Sequence, residues 1–257
     1  FVIDDQTLNV GASIGIATYP EDGDDIDLLL NRADIAMFHA KESGRSTYAH
    51  FSAGMEGDRI EHRSMAMALA GALTNGEFEI VYQAIIDPRD QRAVALEALL
   101  RWHSPLHGEV PPSRFIPMLE TSNQIVAVGN WALAQACQHI KTLQHADQAT
   151  LVLAVNLSGR QFRDEDLLAD VKEILNNSGL DPRQLELEIA ESVLLEDTHS
   201  AGQILTALKA LGVRLAIDDF GTGYSSIAHL RRFPINTLKI DRSLVAGLET
   251  SADALWM

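Results

Sequence analysis

The stretch VRLAIDDFG, residues 213–221, decides how the rest of this chain is read. Its apolar run has the composition of a strand, and it ends in two adjacent carboxylates, Asp218 and Asp219, followed by Phe220 and Gly221. Two neighbouring carboxylates repel each other and require a cation or solvent. A strand that delivers them at its C-terminal end is therefore a candidate for a site as well as for a sheet.

Working outward, the same kind of strand signal recurs at Phe78–Ile86, Val94–Trp102, Leu151–Ser158, Gln184–Ala190 and Asn236–Asp241. Helical periodicity falls between them, at Ser113–Ser122, Gln124–Leu143, Glu165–Asn177, His199–Leu211 and Ser225–Arg232. Gly179 and Gly212 follow two of these helices, where a left-handed terminus favours glycine. Strand–helix alternation predicts right-handed crossovers and a mainly parallel sheet. Polar residues stand at the ends of several strands, which favours a (β/α)8 TIM-like barrel over an open doubly wound sheet with one crevice. Six strand signals are two short of eight, so the expected α/β fold is an incomplete barrel lacking its last two strands.

Before Gly76 the pattern differs. Residues 8–19, LNVGASIGIATY, alternate like a strand, and PEDG at 20–23 has turn chemistry. Asp24 or Asp25 can cap a helix running to about Ser43, Gly44 suits its end, and Ser46–Phe51 can close as a strand. This is half a domain at most. A helical pattern over 54–73 then predicts a stiff connector. The expected division is 1–53, 54–75 and 76–257.

Composition narrows the function. Asp and Glu number 36 against 20 Lys and Arg, for a net charge of −16. Such a surface repels polyanions, which argues against a nucleic acid polymer as partner. A phosphate substrate would need bound cations or a local basic cluster. No run is long and apolar enough for a membrane segment. The single cysteine, Cys137, sits among Trp131, Leu133 and Ile140 and reads as a packed thiol, which fits a cytoplasmic setting.

Side chains two apart on a strand share a face. Glu97, Leu99 and Arg101 do so in LEALLRW, as do Glu186 with Glu188 in LELEIA and Lys239 with Asp241 in TLKID. Asn156 ends LVLAVN. Taken singly, Glu97 reads equally as a solvated edge residue or as a site residue, Glu186 as solvated, Asn156 as a turn former and Lys239 as a snorkelling lysine. Their joint recurrence at strand ends reads instead as a hard-oxygen site for Mg2+ or Mn2+. Gly221-Thr222-Gly223 lacks the remainder of a phosphate-cradling motif and reads as an active-site loop. His103 and His107 straddle Pro105 and make no zinc motif.

In order along the chain, YQAIID, EALLRW, VPPSRFIPMLE, VNLSGRQF, LELEIAES, IDDFGTGYSS and LKIDRS resemble the EAL family of bacterial cyclic di-GMP phosphodiesterases. The resemblance implies hydrolysis of cyclic di-GMP to linear pGpG with two Mg2+ or Mn2+ ions. It implies that Glu97, Asn156, Glu188 and Asp218 hold one metal and that Asp218 and Asp219 share a second. Lys239 would orient the attacking water and Asp241 support it. Gln83, Leu99 and Arg101 would contact the dinucleotide, and Glu191 would anchor the loop after Asp219. Residues 12–23, 29–45 and the following strand resemble the C-terminal half of a GGDEF (diguanylate cyclase) domain, with Lys41 and Arg45 at its phosphate positions.

Two departures stand out. Ala84 replaces a usual proline, and Ser46 an asparagine. The family's seventh strand ends in a glutamate that would lie beyond Met257, so the expectation is a fragment, truncated at both ends, that hydrolyses poorly. The competing expectations are a catalytically inactive cyclic di-GMP receptor and, from the residues without the resemblance, an enolase-like barrel with Lys239 as base. The family also implies a possible homodimer.

Overall fold

Small residues and tight turns shape the N-terminal part. In this computed structural model, residues 2–3, 6–7, 11–44, 46–147, 151–196, 198–221 and 233–246 are described. The chain divides into two compact units, Phe1–Ala68 and Leu69–Met257.

In the first unit, β1 (Val2–Ile3) pairs antiparallel with β2 (Gln6–Thr7). Then come β3 (Ile14–Ile16), α1 (Ile26–Glu42) and β4 (Tyr48–His50), with β4 parallel to β3. Helix α2 (Gly54–Ala72) follows, and the boundary between the units falls within it. Helix α1 can lie directly on β3 because residue 15 is glycine: a Cβ there would stand 1.9 Å from the Ala33 carbonyl oxygen and 2.2 Å from Met37 N. Arg32 ties the unit together, donating to the Asp22 carbonyl at 2.7 Å and to Glu56 at 3.4 Å, with its guanidinium 4.9 Å from the Phe51 ring centre.

The strand expected over 8–19 is much shorter. Residues 8–10 lie outside the described residues, and Thr18 already belongs to a turn in which its N–H bonds the Asp22 carboxylate at 2.6 Å. Asp25 occupies the N-cap position of α1 without a side-chain capping bond.

The second unit opens with a hairpin, β5 (Phe78–Ile86) antiparallel to β6 (Ala93–Ser104), and β7 (Gly108–Val110) folds back on the end of β6. Helices α3 (Pro112–Thr121) and α4 (Ile125–Asp147) lead to β8 (Val152–Leu157). The short α5 (Gly159–Phe162) and α6 (Leu167–Ser178) precede β9 (Leu185–Ala190). Helices α7 (Glu191–Glu196) and α8 (Thr198–Ala210) precede β10 (Arg214–Phe220), and β11 (Thr237–Ile240) with α9 (Arg242–Ala246) closes the described chain. Gly179 caps α6 in the left-handed conformation, at φ 65. The helix expected over 225–232 lies outside the described residues.

The six principal strands form one sheet in the order β11-β10-β9-β8-β6-β5. All pairs from β6 to β11 along this order are parallel, as alternation predicted, but β5–β6 is antiparallel. The reason is the connection: a parallel pair needs a crossover of a dozen or more residues, and only Asp87–Arg92 separates these strands. Arg89 clamps that turn on the Asp87 carboxylate. Among the described residues β5 and β11 do not pair, so the sheet is open and not a closed barrel.

The two faces of this sheet divide the labour. Leu153, Val155, Leu157, Leu185, Leu187, Ile189, Leu215 and Ile217 point to one face and pack against Leu133, Ile140, Val171, Leu175, Leu205 and Leu208 from the helices. Each such side chain contributes roughly 1.5–3 kcal/mol of burial. Cys137 is fully buried in this core, and burial pushes its thiol up to about 12. The alternate positions face the other way, and there the polar residues gather.

Candidate active site

Parallel register determines which side chains can meet. Ala154 lies beside Glu97 on β6 and Glu186 on β9, and Asn156 lies beside Glu188. Glu188 in turn lies beside Ala216, and Ala190 beside Asp218, while Thr237 pairs with Ala216. Stepping by two along each strand, Glu97, Asn156, Glu188, Asp218 and Lys239 all share one face. Alanine at 154 and 216 leaves space there for longer side chains to cross between strands.

They cross onto one point. Lys239 Nζ donates to Glu188 Oε2 at 2.5 Å, to Glu97 Oε2 at 3.2 Å and to Asp218 Oδ2 at 3.5 Å. Asn156 Nδ2 donates to Glu97 Oε1 at 2.8 Å, and the Asp219 N–H bonds Asp218 Oδ1 at 2.9 Å. Residues separated by as many as 142 positions thus form one cluster. The Glu188 side chain has no exposure and that of Lys239 is 25% exposed. Among the described residues, Glu188 Oε1 is buried with no hydrogen-bond partner.

The electrostatics follow from this crowding. Burial raises the Glu188 carboxyl to about 7, with Glu97 and Asp218 adding to the rise and Lys239 opposing it. Burial works against the Lys239 ammonium, but the pull of Glu188, Asp218 and Glu97 outweighs it and raises the lysine overall. Asp219 is raised by burial and by Asp218 and Asp241. It also adopts φ 54, unusual for a non-glycine residue, where the pairing of β10 with β11 shifts register. Among the described residues no three His, Cys, Asp or Glu side chains stand together as a ready-made metal cage; the Lys239 ammonium lies between these carboxylates instead.

The remaining expected residues surround this cluster unevenly. Gln83 is exposed on β5 directly opposite Glu97, and Leu99 and Arg101 continue the face of Glu97 along β6. Arg101 is half-buried, with Nη1 donating to the Leu100 carbonyl at 2.9 Å. Glu191 is buried and accepts the Gly221 N–H at 2.9 Å, fastening the residue that follows β10; its other oxygen has no partner among the described residues. Residues 222–232 beyond lie outside the described residues. Asp241 accepts from the N–H and hydroxyl of Ser243 at the start of α9, which lowers its carboxyl. It acts on the cluster through its field at Asp219. In the first unit, Lys41 is exposed in the last turn of α1, and Arg45 lies outside the described residues.

One reading is corrected. Glu186 is 5% exposed, and its Oε2 accepts from Arg214 Nε at 3.0 Å and from Thr237 Oγ1 at 2.7 Å. A carboxylate this deep requires partners, and both lie on strands distant in sequence. Ser158 and Gln161, which no strand-end pattern marks, form a reciprocal capping box at α5, with Ser158 two residues after Asn156.

Comparison with known proteins bears on this geometry. A family model described as EAL domain matches residues 66–255, and one described as diguanylate cyclase, GGDEF domain, matches residues 1–47. The chain is 42% identical over 255 residues to the Synechocystis protein sll1895, covering 99% of this chain and 37% of that one. It is 38% identical over 246 residues to the bifunctional diguanylate cyclase/cyclic di-GMP phosphodiesterase MucR of Pseudomonas aeruginosa, covering 96% of this chain and 36% of MucR. The solved structure of the PaMucR phosphodiesterase in complex with c-di-GMP superimposes with a TM-score of 0.72 at 36% identity, covering 75% of this chain and 78% of that one. The chain thus spans about a third of the length of the curated relatives it matches.

Proposed function

This chain belongs to the EAL domain family, and on that premise we propose that it is a metal-dependent phosphodiesterase that hydrolyses cyclic di-GMP to linear pGpG. The observation that carries the reading is the convergence of Glu97, Asn156, Glu188, Asp218 and Lys239 from five parallel strands onto one point.

Glu97, Asn156, Glu188 and Asp218 suit a hard divalent cation, since each can offer a side-chain oxygen from a rigid strand. Glu188 Oε1, buried and without a hydrogen-bond partner among the described residues, has a lone pair that a cation could take. Glu97, Asn156, Glu188 and Asp218 would hold one Mg2+ or Mn2+, and Asp218 with Asp219 a second. Bound there, such ions supply an activated water and charge neutralisation at the phosphate.

The protein's own groups do the rest. Lys239 retains some exposure, so its ammonium can donate to the oxygen of a water as well as to the carboxylates and so orient it. Arg101 presents a guanidinium suited to a phosphate, with Leu99 and Gln83 on the same stretch of sheet to contact the dinucleotide. Glu191 holds Gly221 and hence the path of the loop that begins there. Asp241 keeps negative charge near Asp219.

We read 76–257 as the phosphodiesterase domain, a (β/α)8-type barrel whose last two strands are absent from the described sheet. We read 54–75 as connector and 1–53 as the second half of a GGDEF domain, with Lys41 and Arg45 its surviving phosphate positions. No helix among the described residues is long and apolar enough to cross a membrane; with a buried free thiol, the reading places the domain in the cytoplasm. As part of the same reading, the family resemblance implies a possible homodimer.

The test is incubation of the purified protein with cyclic di-GMP and Mg2+ or Mn2+, with products separated by chromatography. Slow formation of pGpG, poor as the incomplete barrel implies, that disappears on chelation and in Glu97→Ala and Asp218→Ala is expected. Retained turnover in either variant overturns the site, and tight binding of the dinucleotide without cleavage by the unaltered protein replaces the enzyme with a receptor.

A further inference from the structure

Beneath the cluster, on the same face of the sheet, lies a second polar group that no proposed step uses. Glu186 Oε2 is shared by Arg214 Nε from β10 and by Thr237 Oγ1 from β11. Each of these residues lies on a strand that carries a cluster member further along: Glu188 is two after Glu186, Asp218 four after Arg214, and Lys239 two after Thr237.

Strand β11 needs such help. It has four residues, and its pairing with β10 shifts register between Ile217 and Phe220. A backbone ladder this short and irregular specifies height along the strand weakly. Side chains supply what the ladder lacks. Thr237 and Lys239 share one face and both reach across β10 to β9, Thr237 to Glu186 and Lys239 to Glu188. Two rungs of equal offset fix β11 against β9. The crossing is open because Ala216, the residue of β10 paired with Thr237, is alanine. At the entry to β11, Asn236 Oδ1 accepts from Leu215 N at 3.0 Å and from Lys209 Nζ at 2.5 Å, pinning the other end.

We propose that Glu186, Arg214 and Thr237 are positioning residues that set the height of β11 and so place the Lys239 ammonium among Glu97, Glu188 and Asp218. The role of Lys239 in hydrolysis rests on the function proposed above; the placement of the strand does not. Glu186 is buried, so one of its partners must neutralise it and the other must orient it. Arg214 carries the charge and Thr237 reads the register.

The experiment compares Thr237→Val, which keeps shape and removes the hydroxyl, with Thr237→Ser, which keeps the hydroxyl. Two readouts are taken on the full chain: amide hydrogen exchange of residues 237–240, and the kcat and KM for cyclic di-GMP with Mg2+. In Thr237→Val exchange should quicken at 237–240 while β8 and β9 stay protected, and kcat should fall roughly tenfold or more with KM within about twofold, as expected for a misplaced reacting group. Thr237→Ser should restore both. Unchanged exchange in Thr237→Val overturns the proposal, as does a loss shared equally by β8 and β9, which marks general destabilisation. If the unaltered protein shows no turnover, the function falls while the exchange comparison still decides the positioning role.

Discussion

Replacing Lys239 with methionine should reveal how much of the local stability depends on one ammonium. The substitution keeps most of the apolar stem and removes the charge from beside Glu188, Glu97 and Asp218, which it meets at 2.5, 3.2 and 3.5 Å. Removing one partner of a buried ion pair costs about 3–5 kcal/mol. Lys239 is a quarter exposed and Asp218 is its most distant partner, so about 3 kcal/mol is expected at pH 8. For a domain of this size that is roughly 6–12 °C in Tm.

The pH dependence carries the stronger test. Glu188 is raised from 4.5 to about 7 on folding, by burial first and by Glu97 and Asp218 after it. An acid raised in this way favours the folded state while protonated. That advantage is complete below its unfolded pKa and is lost as pH climbs through 4.5 to about 7. Lys239 opposes the rise, so its removal should do most damage where Glu188 must be ionised. The deficit should therefore narrow from about 3 kcal/mol at pH 8 to about 1 kcal/mol at pH 5. Urea unfolding in the presence of a chelator, at both pH values, measures it. A deficit below about 1 kcal/mol at pH 8, or one independent of pH, would refute the view that Lys239 balances the buried charge.

Other outcomes follow from single contacts. Gly15→Ala should destabilise the first unit by at least about 2 kcal/mol, because the new methyl meets the backbone of α1, which cannot swing aside as a side chain would; thermal melting followed by circular dichroism reads this. Ser158→Ala should cost about 1 kcal/mol through loss of the α5 capping box, measured by chemical denaturation. The Cys137 thiol, raised to about 12 and fully buried, should resist a disulfide reagent at pH 8 and react at the rate of unfolding; prompt labelling of folded protein would contradict its burial. Glu191→Ala should leave the Gly221 N–H without its acceptor, at about 1–3 kcal/mol, with faster proteolysis just after β10 as the readout.

Much of this architecture could be read along the chain, because its signals are local. Apolar runs mark the strands at 78–86, 151–158 and 184–190, period marks the helices at 113–122 and 199–211, and a glycine, Gly212, follows the second of these helices. Face-sharing of Glu97, Leu99 and Arg101 is a property of any strand, so the candidate carboxylates could be named before any contact was known. The direction of β5 was not legible from alternation alone; it depended on the brevity of the 87–92 connection.

What the chain by itself determined was which residues stand at strand ends and which face each occupies, since a period of two needs only the local backbone. Only tertiary structure decided which of those residues meet. Register across β6, β8, β9, β10 and β11 is set by packing between distant segments, and it alone brings Lys239 to Glu97 across 142 positions. It also makes Glu186 a buried, doubly bonded carboxylate and not a solvated one. Burial is a collective property of neighbours supplied by β10 and β11, and no window of sequence around Glu186 contains them.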